Sequence, residues 1–308
     1  MDAARLGIIG MSEGNGHPFS FSAIVNGYSE PDLAASGWPM IHDYVRRRDR
    51  SEFGIDGLRV THAWTQDDRT TELLCRACLI EHAVSEPGEM IGRVDAVIIA
   101  RDDYESHCAM AVPFLEAGLS VFVDKPLALD AHELKSLIPY LESGRLMSCS
   151  AMRYALELDG VRAGLREYGD MKLVRGAIVN SWEKYGVHLL DAAVGVLGRV
   201  PEWVLALDAP HMSVAMGVEG GPVIQIDALG EGPRVFGLDF FGSKRISRHE
   251  ITDNFGMFRR MLRHFGMQMA EGRPVIDPGE TVGVMRALMA GRISRTEGRK
   301  VYLDEIAI

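Results

Sequence analysis

Cysteine is scarce. Cys75, Cys78, Cys108 and Cys149 are the only four in 308 residues. Four thiols cannot frame a disulfide scaffold, so the chain must be held by its own core, and a reducing cytoplasm is the expected home. No apolar run approaches about 18 residues, which excludes a membrane-spanning helix. The opening residues Met1 to Gly10 have no basic n-region followed by a long apolar stretch, so no signal peptide is expected. Positive charge is in deficit: Lys plus Arg is 33 against 43 Asp plus Glu, a net charge of −10. Such a balance argues against nonspecific binding to nucleic acid or to an anionic membrane. No internal repeat, low-complexity tract or Pro- or Ser-rich linker is visible, so any two domains are joined tightly.

What is present is ordinary globular composition, 47% hydrophobic and 25% charged. At roughly 100–200 residues per domain, the length suits two domains. The run Leu6-Gly7-Ile8-Ile9-Gly10 ends in the glycine-rich stretch Gly10–Pro18, as a first strand of a nucleotide-binding fold does. A second strand is expected at Arg59–Trp64, followed by a helix over about Arg69–Cys78. Asp95–Ala100 reads as a buried strand. Cys108, Ala111, Val112 and Leu115 then share one helix face, Gly118 sits where a C-cap glycine belongs, and Ser120–Val123 is the next strand;. Strand, helix and strand with short connections make a βαβ unit and a parallel sheet. Asp130 with Glu133 gives the capping box of a further helix with its apolar stripe at Leu134, Leu137, Ile138 and Leu141;.

After about Leu146 the texture changes. Leu173–Val179, Trp203–Leu207, Ser213–Val218, Pro222–Ala228 and Val235–Phe241 read as strands with few helices between them, which predicts an antiparallel sheet;. A helix is expected at about Tyr185–Val196. Another starts at Asp277-Pro278, and Val301–Leu303 closes as a short strand;. The expected domains are therefore residues 1–148 and 149–308.

The stretch Val94–Ala128, VDAVIIARDDYESHCAMAVPFLEAGLSVFVDKPLA, resembles the central segment of the Gfo/Idh/MocA family of NAD(P)-dependent oxidoreductases. Asp124-Lys125-Pro126 stands for that family's Glu-Lys-Pro, and His107 matches its helix histidine. Met152-Arg153-Tyr154 resembles the opening of its second domain, and Gly186-Val187-His188-Leu189-Leu190-Asp191 resembles its G-V-H-x-x-D helix. Gly272-Arg273-Pro274 through Leu303 resembles its C-terminus. The resemblance implies a Rossmann domain followed by an α/β domain with an open, mostly antiparallel sheet. It also implies hydride transfer between NAD or NADP and a hydroxyl or keto carbon of a sugar, cyclitol or nucleotide-sugar-like small molecule.

Site residues follow from the resemblance and from chemistry together. A dinucleotide fingerprint is G-x-G-x-x-G, but the register here gives Gly10, Ser12 and Asn15, with Gly14 and Gly16 outside it. Backbone amides of this loop, with Ser12 and Asn15, are candidates for phosphate contacts. Asp67 and Asp68 close the second strand about fifty residues on, and as ribose ligands they would favour NAD, although neighbouring Arg69 pulls the other way;. Ala100, Arg101, His107, Asp124 and Pro126 complete the cofactor-side candidates, and the resemblance carries a cis bond before Pro126. Lys125 follows a strand at the sheet's carboxyl edge, where it would steady charge on the reacting oxygen. His188 is the expected proton carrier, since imidazole titrates near pH 6.5.

The chain departs from the family four residues before His188. Many relatives carry Asp there, one helical turn away, and this chain has Lys184;. Asp191 is an available substitute partner, and Arg153, Trp182, Lys184 and Asp191 are expected to line the substrate side. Cys75-x-x-Cys78 is half a zinc site with no second pair, so no metal is expected. The patch Arg46-Arg47-Arg48-Asp49-Arg50 reads as a solvated helix end or as an anion or subunit contact. An open sheet face predicts a homodimer or higher oligomer. The altered loop and Lys184 keep two alternatives in view: a non-catalytic nucleotide- or partner-binding protein, and a redox-neutral lyase or hydrolase that retains NAD.

Overall fold

The computed structural model describes residues 3–308. Strand β1 (Ala4–Ile9) buries Leu6, Ile8 and Ile9 completely. Helices α1 (His17–Asn26), α2 (Glu30–Ala34) and α3 (Pro39–Val45) precede β2 (Leu58–Trp64). The long gap between the first two strands is thus filled by α2, α3 and a 3-10 turn at Arg50–Glu52, closed by a capping box between Asp49 and Glu52;. Then come α4 (Asp68–Ala77), β3 (His82–Ala83), β4 (Ala96–Ile99), α5 (His107–Glu116), β5 (Ser120–Val123), α6 (Ala131–Glu142) and β6 (Leu146–Ser148). The six strands pair in parallel in the order β3-β2-β1-β4-β5-β6, which is the doubly wound Rossmann order. Parallel strands covered on both faces are apolar throughout, and all four residues of β4 are fully buried.

Local chemistry sets the element ends. Asp130 accepts hydrogen bonds from the His132 and Glu133 amides at 2.9 and 3.0 Å, capping α6 as its sequence predicts;. Gly118 turns the chain from α5 into β5 with φ +87°, a conformation a side chain resists;. The buried face of α5 is rotated from the expected stripe: Ala111, Phe114 and Leu115 are buried, whereas Cys108 and Val112 are only partly so.

A helix from late in the chain completes this unit. After β7 (Met171–Ile178), α7 and the second sheet described below, α9 (Asn254–Glu271) returns to it; α7 is Asp159–Ala163 and α8 is Val187–Leu197. Phe258 of α9 meets Phe21 edge-on at 5.2 Å, Phe265 lies 5.8 Å from Phe122, and Phe255 lies 5.1 Å from Phe53. Buried Gln268 donates to the Gly144 and Leu146 carbonyls at 3.0 Å each and accepts from the Val275 amide. The first compact unit accordingly comprises Met1–Asp124, Pro139–Ser148 and Asn254–Val275.

The second unit comprises Lys125–Ile138, Cys149–Asp253 and Ile276–Ile308. Its sheet adds β8 (Trp203–Ala206), β9 (Met212–Gly217), β10 (Val223–Ala228), β11 (Phe236–Gly242), β12 (Ile246–Glu250) and β13 (Val301–Tyr302) to β7. The seven strands run β12-β11-β7-β10-β9-β8-β13, antiparallel except for the β7–β10 pair. Val174, Ile178, Val214, Met216, Ile224, Ile226, Leu238 and Phe240 alternate onto one fully buried face;. Helices α8 and α10 (Pro278–Glu297) bring Leu189, Leu190, Val284 and Leu288 into the same core. The fold is therefore the expected α/β type, a parallel Rossmann sheet with a second, mostly antiparallel one. Among the described residues, no helix is long and apolar enough to cross a membrane.

Candidate active site

In the first unit, polar residues gather at the carboxyl ends of β1, β2, β4 and β5. The Asn15 amide donates to the Ser12 carbonyl at 3.1 Å, making a turn with Gly14 at its third position and φ +75°;. A side chain on Gly10 would collide with Pro18, and one on Gly16 with Ile41 and Trp38. Those two glycines are required by the protein's own packing. Gly14 is different: nothing lies within 4 Å of where its Cβ would stand. An open backbone loop between β1 and α1, beside the β1–β4 crevice, fits the phosphate-bearing part of a dinucleotide.

The loop's polar side chains are engaged in shaping it. Ser12 Oγ donates to Asp102 at 2.6 Å and accepts from the Asp102 amide at 3.0 Å. Asn15 accepts from the His17 amide at 2.9 Å. Gln66, which the sequence does not single out, brackets Met11: it accepts from the Met11 amide at 2.7 Å and donates to the Met11 carbonyl. Arg101 grips Asp103 with two bonds of 2.8 and 2.6 Å and reaches Gln66 at 3.2 Å. Ala100 is buried, its amide on the Ile9 carbonyl. His107 is buried, with Nε2 3.0 Å from the Arg101 carbonyl, so its ring anchors the loop after β4.

The expected ribose acids, Asp67 and Asp68, open α4. Asp67 is the N-cap of α4, accepting from the Thr70 hydroxyl at 2.7 Å and its amide at 2.8 Å, and these bonds hold its carboxyl below the usual range;. Asp68 is exposed in the first turn of α4. Gln66 is the first long polar side chain after β2, and it is neutral.

At the end of β5, Asp124 is 2% exposed and Lys125 4%. The Lys125–Pro126 peptide is cis. The Asp124 amide extends the sheet to the Ile99 carbonyl at 2.9 Å, while its carboxylate accepts from His17 Nδ1 at 2.6 Å and Asn15 Nδ2 at 3.3 Å.

The second unit holds the histidine. Trp182–Gly186 is wound as a wide π-type turn, in which the Gly186 amide reaches back to the Ser181 carbonyl, and α8 starts only at Val187;. The four residues from Lys184 to His188 are therefore not all wound as the α-turn that their spacing predicts. His188 Nδ1 lies 2.7 Å from Ser150 Oγ. Tyr185 meets the imidazole edge-on at 5.6 Å.

Asp191 backs this pair indirectly. One of its oxygens accepts the Ser150 amide at 2.7 Å, and the other accepts Arg153 Nε and Nη2 at 3.0 and 2.9 Å. Arg153 Nη1 continues to Glu280 at 2.7 Å. Burial by itself would lower the Arg153 pKa, but Asp191 and Glu280 outweigh it and push it up;. Arg153, expected on the substrate side, is thus an 8% exposed internal cation joining α8 to α10. Trp182, also expected on the substrate side, is 2% exposed, with its indole N–H on the Leu288 carbonyl at 3.0 Å. Sequence reasoning missed Ser150, whose signal is its place just after the last strand of the first sheet.

Burial pushes the half-buried Cys75 thiol up to about 11 and the core thiol Cys78 further, and Cys78 donates to the Phe19 carbonyl;. Arg46 and Arg47 pair with Asp43, and Arg48 with Glu52, so the basic patch is internally compensated.

Comparison with known proteins places these features. Residues 39–149 match an oxidoreductase family, GFO_IDH_MocA, described as having an NAD-binding Rossmann fold. No curated protein matches the chain by sequence. Among solved structures, myo-inositol 2-dehydrogenase from Lactobacillus plantarum superposes with a TM-score of 0.78 at 16% identity, over 98% of this chain and 99% of that one. A probable dehydrogenase from Thermotoga maritima gives 0.75 at 16%, over 98% and 99%. Scyllo-inositol dehydrogenase from Lactobacillus casei, with bound NAD(H) and scyllo-inositol, gives 0.75 at 13%, over 98% and 100%. These superpositions show a shared fold over 98% of the chain. Over residues 39–149 the chain is thus similar to the Gfo/Idh/MocA family of oxidoreductases with an NAD-binding Rossmann fold.

Proposed function

We propose that the protein is a cytoplasmic NAD(P)-dependent dehydrogenase acting on a secondary hydroxyl of a cyclitol or sugar. The observation that carries this reading is the His188 Nδ1–Ser150 Oγ bond, backed by Asp191, because it orients an imidazole for proton exchange through Nε2;. The nicotinamide, when bound, would accept or return the hydride. Lys125 would donate a hydrogen bond to the reacting oxygen and steady its developing charge. His188 Nε2 would take the hydroxyl proton as the C–H hydride leaves and a carbonyl forms, and it would return that proton in reduction. Lys125 and His188 belong to the same compact unit, which supports a shared role. The relatives' inositol substrates make cyclitols the first class to test. The test is nicotinamide reduction with NAD and NADP over a panel of inositols and simple sugars. No turnover with any member, together with tight NADH binding, would replace this reading.

A non-catalytic nucleotide-binding protein is the second reading. It is favoured by one observation: Ser12 and Asn15 spend their polar groups on Asp102, His17 and Asp124. Titration with NADH, followed by nicotinamide fluorescence, separates a protein that binds without turnover from one that does both. The face of the second sheet turned away from α8 and α10 is our proposed contact between copies in a homo-oligomer.

A further inference from the structure

A cleft of about 440 Å³ lies at the amino-terminal edge of the first sheet, where Ala4 begins β1 and Leu58 begins β2. This is the opposite end of the sheet from the loops at the carboxyl ends of the strands. Every residue lining it belongs to the first compact unit. One wall is a fixed turn. Gly54 and Gly57, with φ +88° and +80°, bracket Ile55 and Asp56;. The Gly54 amide donates to the Ile24 carbonyl at 3.0 Å, the Leu58 amide to the Ile55 carbonyl at 3.0 Å, and the Ala4 amide to the Gly57 carbonyl at 2.8 Å. The other wall is one face of α9, which supplies Arg259, Arg263, Gly266, Met267 and Ala270;. Arg259 Nη2 donates to the Gly54 carbonyl at 3.2 Å, and its Nε is buried with no hydrogen-bond partner. Arg263 is exposed, and among the described residues it makes no ion pair or side-chain hydrogen bond. Elsewhere in this unit Arg46, Arg47, Arg48, Arg59 and Arg76 each meet a carboxylate. The cleft's one acid is the exposed Asp56, ion-paired with neither arginine.

We propose that this cleft binds a small monocarboxylate with an apolar chain, its carboxylate held by Arg259 and Arg263 and its chain laid along Ile55, Leu58, Met267 and Met269. Charge complementarity selects the headgroup. Two arginines against Asp56 leave one net positive charge, in a protein whose own net charge is −10. A guanidinium fork matches a carboxylate, whereas the second charge of a phosphate ester would meet Asp56 with no further cation. Arg259 has a shielded donor without an acceptor, and a neighbouring carboxylate offsets its charge;. The apolar lining selects the chain. Methionine side chains adapt to a flexible ligand, and the volume falls within the roughly 300–1,000 Å³ of small-molecule sites. Gly266 keeps the cleft open, since a Cβ there would stand 3.0 Å from Leu58 Cδ1. The site is separate from Lys125 and His188 and does not depend on the dehydrogenase reading.

The experiment titrates octanoate into the wild-type protein by calorimetry, beside acetate, 1-octanol and octyl phosphate. We expect saturable octanoate binding with a Kd below about 1 mM, and binding of acetate and of 1-octanol at least about tenfold weaker. Arg263→Gln should weaken octanoate at least about tenfold, and Arg263→Lys less, because lysine keeps the charge and loses the fork. Saturating octanoate should raise the thermal midpoint of the wild type and leave that of Arg263→Gln nearly unmoved. Octanoate that does not saturate overturns the proposal. So does equal affinity in wild type and Arg263→Gln, or 1-octanol or octyl phosphate binding as tightly as octanoate. A second readout needs no variant: phenylglyoxal modification of Arg263, followed by peptide mass spectrometry. Octanoate should slow it, and an unslowed rate overturns the proposal.

Discussion

Ser150 Oγ lies 2.7 Å from His188 Nδ1 and, at the same time, accepts the Met152 amide at 3.1 Å. A serine hydroxyl thus holds one ring nitrogen of His188. The Ser150 main chain is pinned by Asp191, so the carboxylate acts on the histidine at one remove. Ser150→Ala should lower kcat by about ten- to a hundredfold with little change in KM, because the imidazole loses its orientation but not its proton chemistry. Steady-state kinetics check this, and an equal loss in KM alone would contradict it.

Removing Arg153 should destabilise the second unit. Arg153→Met leaves Asp191 and Glu280 as buried or half-buried acids without their cation, a change that typically costs about 3–5 kcal/mol;. Denaturant unfolding checks this. The double variant Arg153→Met with Asp191→Asn should be less damaged than the sum of the singles, since it removes the uncompensated charge.

On the sheet's other face, Asp227 predicts an acid limb in stability. Burial opposes its ionisation, but bonds from Ser213 and His211, with Arg175 nearby, outweigh burial and hold its pKa below the ordinary value. A group lowered on folding adds stability that is present above its unfolded pKa and is lost as pH falls through its folded one. Thermal midpoints measured downward from neutral pH should therefore fall less steeply between those two values in Asp227→Asn than in the wild type. Parallel curves would contradict the assignment.

Asp67, one of the two carboxylates on which the slight expected preference for NAD over NADP rests, is engaged as the cap of α4. With neutral Gln66 at the end of β2, the wild-type protein should bind NADH and NADPH within about tenfold of each other, and Gln66→Glu should weaken NADPH selectively;. Fluorescence titration of both cofactors checks the prediction.

The sequence carried the βαβ core well because its periodicities are local. Ser120–Val123 is a strand with its predicted bounds, and Asp130 caps as its spacing says. Helix α9 shows where locality ends. The sequence analysis places no helix there, and nothing in chain order says that Phe255, Phe258, Leu262 and Phe265 return to the first unit. The site divides in the same way. Lys125 and His188 could be named from motif and chemistry. Ser150 and His17 could not, because their partners lie 38 and 107 residues away along the chain. The spacing of Lys184 and His188 reads as one α-turn in the sequence, whereas Trp182–Gly186 is wound more widely.

The most direct measurement follows nicotinamide absorbance with wild-type protein and Lys125→Ala side by side, using NAD or NADP and a panel of inositols and sugars. Saturable reduction of the cofactor by the wild type is expected with at least one cyclitol or sugar. No turnover is expected from Lys125→Ala, although that variant still binds NADH. Turnover in Lys125→Ala equal to wild type would contradict the proposed function, as would a wild type that binds NADH yet reduces cofactor with no member of the panel.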